Sequence, residues 1–360
     1  MAQHNTPKLR FPEFSGAWEE KKLGDISELT SSKRVYLNDY VDTGIPFYRG
    51  KEISELKRNV QPKDILYISQ DAYLDFKQKY GVPQENDILI TAVGTLGNVL
   101  RISNNNPFYF KDGNLIWVRK INENSEFLEI LLEFDSKKIE NSAIGSSQKA
   151  LTMLELRKLY FNFPTLPEQQ KIASFLSAAD KKLEQLQQKK TLLEQYKKGM
   201  MQKLFSQQIR FKDDEGKDFP EWEYEELGNL LKYEQPTRYI VNSTDYHESF
   251  NTPVLTAGKS FILGYTDEFE NIYQSVPVII FDDFTRANKW VDFPFKVKSS
   301  AMKILSSANK DVNIKYVFEA MQLIKVSEGD EHKRYWISEH SKIEIPFPSL
   351  AEQTKIAEFL

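Results

Sequence analysis

Apolar residues in the middle of the chain return on one helical face. From Pro167 onward they recur every seven positions, at Ile172, Ala179, Leu186, Leu193 and Met200. Leu176, Leu183 and Leu204 fill the second seam position, which Lys190 and Lys197 interrupt. That spacing is a coiled-coil seam with a polar middle. No Pro or Gly falls between Pro167 and Gly199. The pattern therefore predicts one helix from Pro167 to Phe205, roughly 58 Å long at about 1.5 Å per residue. A helix of this length cannot bury its own stripe. On either side of it the period changes. Residues 88–93, 114–118 and 276–281 are short apolar runs that read as strands. Residues 127–139 and 314–325 read as helices, and Gly94-Thr95-Leu96-Gly97-Asn98 as a turn joining strands.

The chain is also written twice. Residues 163–176 return as residues 347–360 with ten of fourteen positions identical. Arg10-Phe11, Trp18-Glu19 and Leu23-Gly24-Asp25 return as Arg210-Phe211, Trp222-Glu223 and Leu227-Gly228-Asn229. The blocks between these frames show little likeness. Both late frames read as helix starts, because Thr165-x-x-Glu168 and Ser349-x-x-Glu352 are capping-box patterns. The organisation expected is α+β. A first mixed α/β block spans 1–162, a central helix 163–206, a second block 207–346, and the start of a second helix 347–360. The fold is then two globular blocks separated by long coiled-coil helices in a pseudo-two-fold internal repeat. By analogy with the first copy, about 30 further residues would complete the second helix. Without them, part of the seam is expected to await a partner.

Composition narrows the classes. With 40% hydrophobic and 13% aromatic residues, real cores can form and wholesale disorder is excluded. The chain has no cysteine, which excludes disulfides and cysteine-ligated metals. The start has no apolar signal core and no apolar run could span a bilayer, so a cytoplasmic, non-membrane protein is expected. The net charge of −4 says less than its distribution. Residues 167–205 carry eight Lys against four acids, and residues 206–230 carry three basic and eight acidic side chains. No block is strongly basic, so any nucleic-acid surface must arise by local clustering.

Two dissimilar blocks, each followed by a Leu-Pro-Glu-Gln-Gln-Lys-Ile-Ala type of helix start, resemble the DNA-specificity subunit of type I restriction-modification systems. Leu166 to Ala173, Trp18-Glu19 with Leu23-Gly24, the turn Thr91 to Gly97, and the stretch Gly145 to Leu151 carry the resemblance. The counterpart of that stretch, residues 329–335, is degenerate but keeps Lys333 in register with Lys149. The resemblance implies two target recognition domains, each reading one half of a bipartite double-stranded DNA site, with the helices as a ruler between them. It implies two docked methyltransferase subunits that use S-adenosylmethionine, and two restriction/translocase subunits that use ATP and Mg2+. It implies no cofactor and no catalysis in this chain. The missing end of the second helix departs from the family pattern.

Base edges are read by Arg, Lys, Asn, Gln, Ser or Thr, while Lys and Arg also hold phosphates. The first-block candidates are Lys33, Arg34, Arg49, Lys51, Thr95, Asn98, Ser146, Ser147, Gln148 and Lys149. The second-block candidates are Arg238, Lys259, Arg286, Asn288, Lys289, Lys333, Arg334 and Trp336. Asp282-Asp283 could instead pair with Arg286. The lysines at 181, 182, 189, 190, 197 and 198 read as a solvated helix face.

Enzyme signatures fail on inspection. Asn106-Pro107-Phe108-Tyr109 is one Pro short of the adenine-methyltransferase motif, and Gly258-Lys259-Ser260 lacks the first glycine of a P-loop. His4, His247, His332 and His340 have no metal spacing. The acidic stretch Asp213 to Asp218 reads as a polar linker. The competing classes are a self-acting methyltransferase or nuclease and a coiled-coil scaffold without DNA specificity.

Overall fold

The computed structural model of the chain describes residues 7–146, 149–257, 260–324 and 335–360. It divides into two compact units, Met1–Leu186 and Gln187–Leu360.

In the first unit a four-stranded antiparallel sheet runs in the order Glu28–Thr30, Leu115–Arg119, Ile88–Thr91, Val99–Arg101. Its central strands are apolar without alternation because both faces are covered. Ile88, Ile90, Ile116 and Val118 pack against Phe127, Leu128 and Leu132 of the helix Ser125–Phe134. Leu89, Leu115 and Trp117 pack on the other face against Ile53 of the helix Gly50–Lys57 and against Phe110. A smaller sheet, ordered Tyr40–Val41, Leu66–Ile68, Ile45–Tyr48, Tyr109–Phe110, closes with a parallel pair.

The second unit repeats this plan. Its main sheet runs Leu231–Glu234, Met302–Ser307, Val278–Asp282, Asn288–Val291, again all antiparallel. Its smaller sheet, Ile262–Thr266, Thr252–Leu255, Lys296–Val297, also ends in a parallel pair. The helix Ile314–Met321 covers the main sheet where Ser125–Phe134 does in the first unit.

The repeated frames are where the two units agree most closely. Glu19–Lys22 pairs antiparallel with Tyr160–Phe163, and Glu223–Glu226 with Glu344–Phe347. Leu23 N donates to Leu159 O at 2.9 Å, and Leu227 N to Ile343 O at 3.0 Å. A Cβ on Gly24 would stand 3.0 Å from Arg157 Cβ, and one on Gly228 2.9 Å from Ser341 O, so close approach explains both frame glycines. The fully buried Glu168 takes Arg10 at 2.6 Å, and the fully buried Glu352 takes Arg210 at 2.9 Å. Gln169 accepts from Asn124 N at 3.0 Å, and Gln353 from Asn313 N at 2.8 Å.

These contacts correct the capping-box reading. Ser349 makes no side-chain cap bond, and the buried glutamates expected to turn back on the backbone instead pair with half-buried arginines. A carboxylate with no water nearby is held far better by a guanidinium than by one amide.

The long helix forms as Leu166–Phe205, 40 residues. The seam is packed at its two ends and open in the middle, the kind of stretch expected to await a partner. Ile172 and Leu176 are half-buried, and Ile172 packs on the first unit's core; Met200 is half-buried, and Leu204 lies in the second core. Ala179 is exposed, and Leu183, Leu186 and Leu193 are 64, 50 and 56% exposed. The ends were absorbed by the globular units, and the repeat Leu350–Phe359 spends Ile356 and Ala357 on the second core. A second departure lies at residues 127–139, which break at Asp135 into Ser125–Phe134 and Ser136–Asn141. The break carries the fully buried Ile139 under the Gly97 turn.

Candidate nucleic-acid interface

One end of the first unit's main sheet gathers loops from distant parts of the chain. Ser31 Oγ donates to Leu115 O at 3.2 Å and accepts from Gly113 N at 3.4 Å. Ala92 N donates to Asn114 O at 2.8 Å, and Leu151 N donates to Ala92 O at 2.9 Å. Lys111 N donates to Tyr48 O at 2.9 Å, which brings in the Arg49 corner. Segments 31–34, 49–51, 111–114 and 91–98 and the described residues 144–146 and 149–151 therefore share one edge. The turn at 91–98 is stiff. Gly94 and Gly97 have φ of 81° and 76°, a conformation that side chains other than glycine disfavour. Gly97 N donates to Thr91 O at 2.9 Å, Asn98 N donates to Thr91 Oγ1 at 2.9 Å, and Thr91 Oγ1 in turn donates to Thr95 O.

The second unit builds the same end with other residues. Lys298 N donates to Leu255 O at 2.8 Å, as Lys111 N does to Tyr48 O. Asp283 N donates to Ala301 O at 3.1 Å, where the first unit joins Ala92 to Asn114. Trp336 N donates to Asp283 Oδ1 at 2.9 Å, where the first unit joins Leu151 to Ala92. The hairpin between Val278–Asp282 and Asn288–Val291 is thus the topological equal of the turn at 91–98.

The candidates of the first unit fall on this end, with different degrees of freedom. Lys33 is exposed, its ammonium 5.5 Å from the Tyr80 ring. Arg34 pairs with Asp112 at 2.9 Å yet stays 65% exposed, and hydrogen bonding to that carboxylate raises its already high pKa. Lys51 is 57% exposed and only 3.8 Å from Glu55 and 3.7 Å from Asp64. Thr95, Ser146 and Lys149 are exposed. Asn98 donates to Ser54 Oγ at 2.8 Å and is half-buried. Arg49 is corrected. It forks onto the buried Glu52, at 2.5 Å in its closest contact, and closes the start of the helix Gly50–Lys57, so its guanidinium is committed.

Two corrections apply in the second unit. Trp336 is 2% exposed, and its ring packs on Phe281 at 5.5 Å, so it belongs to the core. Arg286 does not pair with Asp282 or Asp283. Its guanidinium lies 3.7 Å over the Tyr335 ring, 3.5 Å from Glu339, with a side chain 9% exposed. Asp283 instead meets the buried Lys303 at 3.4 Å. Asn288 accepts from Gln322. Arg238 and Lys289 are exposed. Ser147, Gln148, Lys259, Lys333 and Arg334 lie outside the described residues.

Ser31, Asp112, Asn114 and Phe284 were missed by sequence reasoning. The first three belong to loops whose meeting depends on strand order. Phe284 carried a signal in itself, as an aromatic in a polar turn directly after a strand.

Among the described residues no group of three or more His, Asp or Glu could hold a metal. No helix among them is long and apolar enough to cross a membrane. The 213–218 stretch is a tight surface turn with Lys212 and Asp218 bridged across it. Burial depresses the pKa of His340, whose ring packs on Phe281 at 4.9 Å in the core.

A sequence model of the type I restriction modification DNA specificity domain matches residues 16–195 and again 220–360. The chain is 52% identical over 155 residues to the EcoR124I/EcoR124II type I restriction enzyme specificity subunit of Escherichia coli, spanning 40% of this chain and 38% of that one. It is 25% identical over 392 aligned residues to the putative MjaX specificity subunit of Methanocaldococcus jannaschii, covering 99% of this chain and 89% of that one. The fold is shared with the S subunit of a type I restriction-modification system from M. genitalium. The TM-score is 0.66 at 16% identity, with 98% of this chain and 90% of the other covered.

Proposed function

Because the chain belongs to the type I restriction-modification DNA specificity family, we propose that it reads a bipartite double-stranded DNA target, one half-site through each unit. The observation that carries this reading is the repeated sheet end. Two scaffolds with the same strand order and the same frame contacts present chemically different loops at the same place. The first unit reads with Lys33, Arg34, Lys51, Thr95, Asn98 and the 144–151 loop, and the second with Arg238, the 282–289 hairpin and Lys289. Exposed lysines and arginines neutralise phosphates, and hydroxyls and amides discriminate base edges.

The long helix sets the register between the two readings and presents its exposed middle to partner subunits. Those partners are two methyltransferase subunits, which bind S-adenosylmethionine, and two restriction/translocase subunits, which use ATP and Mg2+. The complex works in the cytoplasm, where its DNA lies. The chain contributes selection and no catalytic group.

The test uses the full chain assembled with its modification subunits on target duplex. Nuclease protection is expected in two short blocks with an unread gap. Affinity is expected to fall by about 10³ to 10⁵ between roughly 50 and 200 mM salt, the signature of several released phosphate counterions. A single continuous block, or binding indifferent to salt, would contradict the reading.

A further inference from the structure

The second unit's hairpin ends in an exposed ring. Phe284 is 60% exposed, although the turn beneath it is built as firmly as a core element. Asp282, 5% exposed, accepts Phe284 N at 2.9 Å and Thr285 Oγ1 at 2.5 Å through its two carboxylate oxygens. Arg286 N donates to Asp282 O at 2.9 Å, and Asp282 N to Ala287 O at 2.9 Å. Arg286 adopts φ of 60° and is clamped between Tyr335 and Glu339. A left-handed non-glycine residue persists only where its surroundings over-determine it.

These bonds hold the tip in a shape that leaves the ring in solvent, although burying its apolar surface would be favourable. One exposed aromatic is ordinary on any surface. The position of this one is what matters. The equivalent turn of the first unit carries Gly94 and Thr95, and a Cβ on Gly94 would meet nothing within 4 Å. One reading hairpin therefore ends in a bare glycine turn and the other in a rigid phenyl.

Resting on the two-half-site reading, we propose that Phe284 is an apolar wedge that enters between adjacent base pairs of the half-site read by the second unit. A wedge partly unstacks one step and kinks the duplex, and the ring gains the burial that the fold denies it. Pyrimidine–purine steps unstack most easily, so the second half-site should contain one. The first half-site is read without such insertion.

The experiment places 2-aminopurine singly at each position of both half-sites, in duplexes bound by the full complex. Nuclease protection is recorded on the same samples. A fluorescence rise is expected at one step of the second half-site that is absent from the first. Phe284→Ala should abolish that rise and weaken binding about tenfold, as for loss of one stacked base. Phe284→Trp should keep both. A base flipped by the partner subunits would brighten irrespective of residue 284, which separates the two sources. An unchanged signal in Phe284→Ala with two-block protection intact would overturn the wedge alone. Loss of two-block protection in the unsubstituted complex would overturn the reading beneath it.

Discussion

The ends of the two main sheets share topology and differ in how they use charge. In the first unit the candidate cations other than Arg49 stand in solvent: Lys33 and Lys149 are exposed, and Arg34 and Lys51 are 65 and 57% exposed. In the second, Lys303 is buried against Asp283 and Arg286 is stacked on Tyr335. The same backbone contacts support both arrangements, joining Ala92 to Asn114 in one and Asp283 to Ala301 in the other. A fixed scaffold therefore tolerates large changes of chemistry at its rim. The cost is local: internal charge pairs in the second unit hold its hairpin in shape and keep Lys303 and Arg286 from meeting phosphates.

The frames offer the largest perturbation. Removing one partner of a buried pair strands the other charge, at about 3 to 5 kcal/mol when both are fully buried. Arg10 and Arg210 keep 13 and 20% exposure, which reduces that figure. Glu352 also accepts Trp222 Nε1 at 2.8 Å, whereas Trp18 Nε1 has no partner. Glu352→Ala should therefore destabilise the chain by about 1 kcal/mol more than Glu168→Ala, the worth of one further hydrogen bond. Urea midpoints of the two variants compare them, and equal losses would mean the tryptophan bond contributes nothing.

The next contrast is between an arginine that holds shape and a lysine that does not. Arg286→Ala should cost about 1 to 2 kcal/mol of stability through lost stacking and pairing. Lys149→Ala should leave stability within about 0.5 kcal/mol and lower the salt slope of DNA binding by about one. Thermal unfolding and salt titration of both variants decide the matter. The opposite pattern would exchange their roles.

The smallest effect is titrimetric. Glu28 sits between Lys120 at 2.8 Å and Arg119 at 2.5 Å, and these hydrogen bonds hold its pKa down to about 2. A depressed folded pKa stabilises the fold fully above the ordinary glutamate value of about 4.3, and that share is lost as pH falls toward 2. Glu28 is 37% exposed, so solvent screening keeps the share under about 1 kcal/mol. Glu28→Gln should flatten the stability curve between about pH 4.5 and 2, and a variant that keeps the wild-type slope there would assign it to other carboxylates.

Much of this architecture was legible in the residues. The seam from Ile172 to Leu204 gave the long helix, and the apolar runs at 88–93 and 276–281 gave the central strands. The duplicated frames gave the two-unit plan because short-range spacing survives in a linear text. What could not be read depended on long-range partners. Glu168 and Glu352 looked like caps until Arg10 and Arg210, 158 and 142 residues away, claimed them. Trp336 looked like a reader because Lys333 and Arg334 precede it, yet its ring completes the core beside Phe281. The meeting of the loops at 31–34, 111–114 and 144–151 follows from strand order, which no local pattern contains.

The central claim is that each unit reads its own half of the target. Residues 27–162 can be exchanged for the corresponding block of a relative, and the methylated sequences of the host genome then determined. One half of the methylated motif should change while the other half stays as it was. A change in both halves, or in neither, would contradict the account.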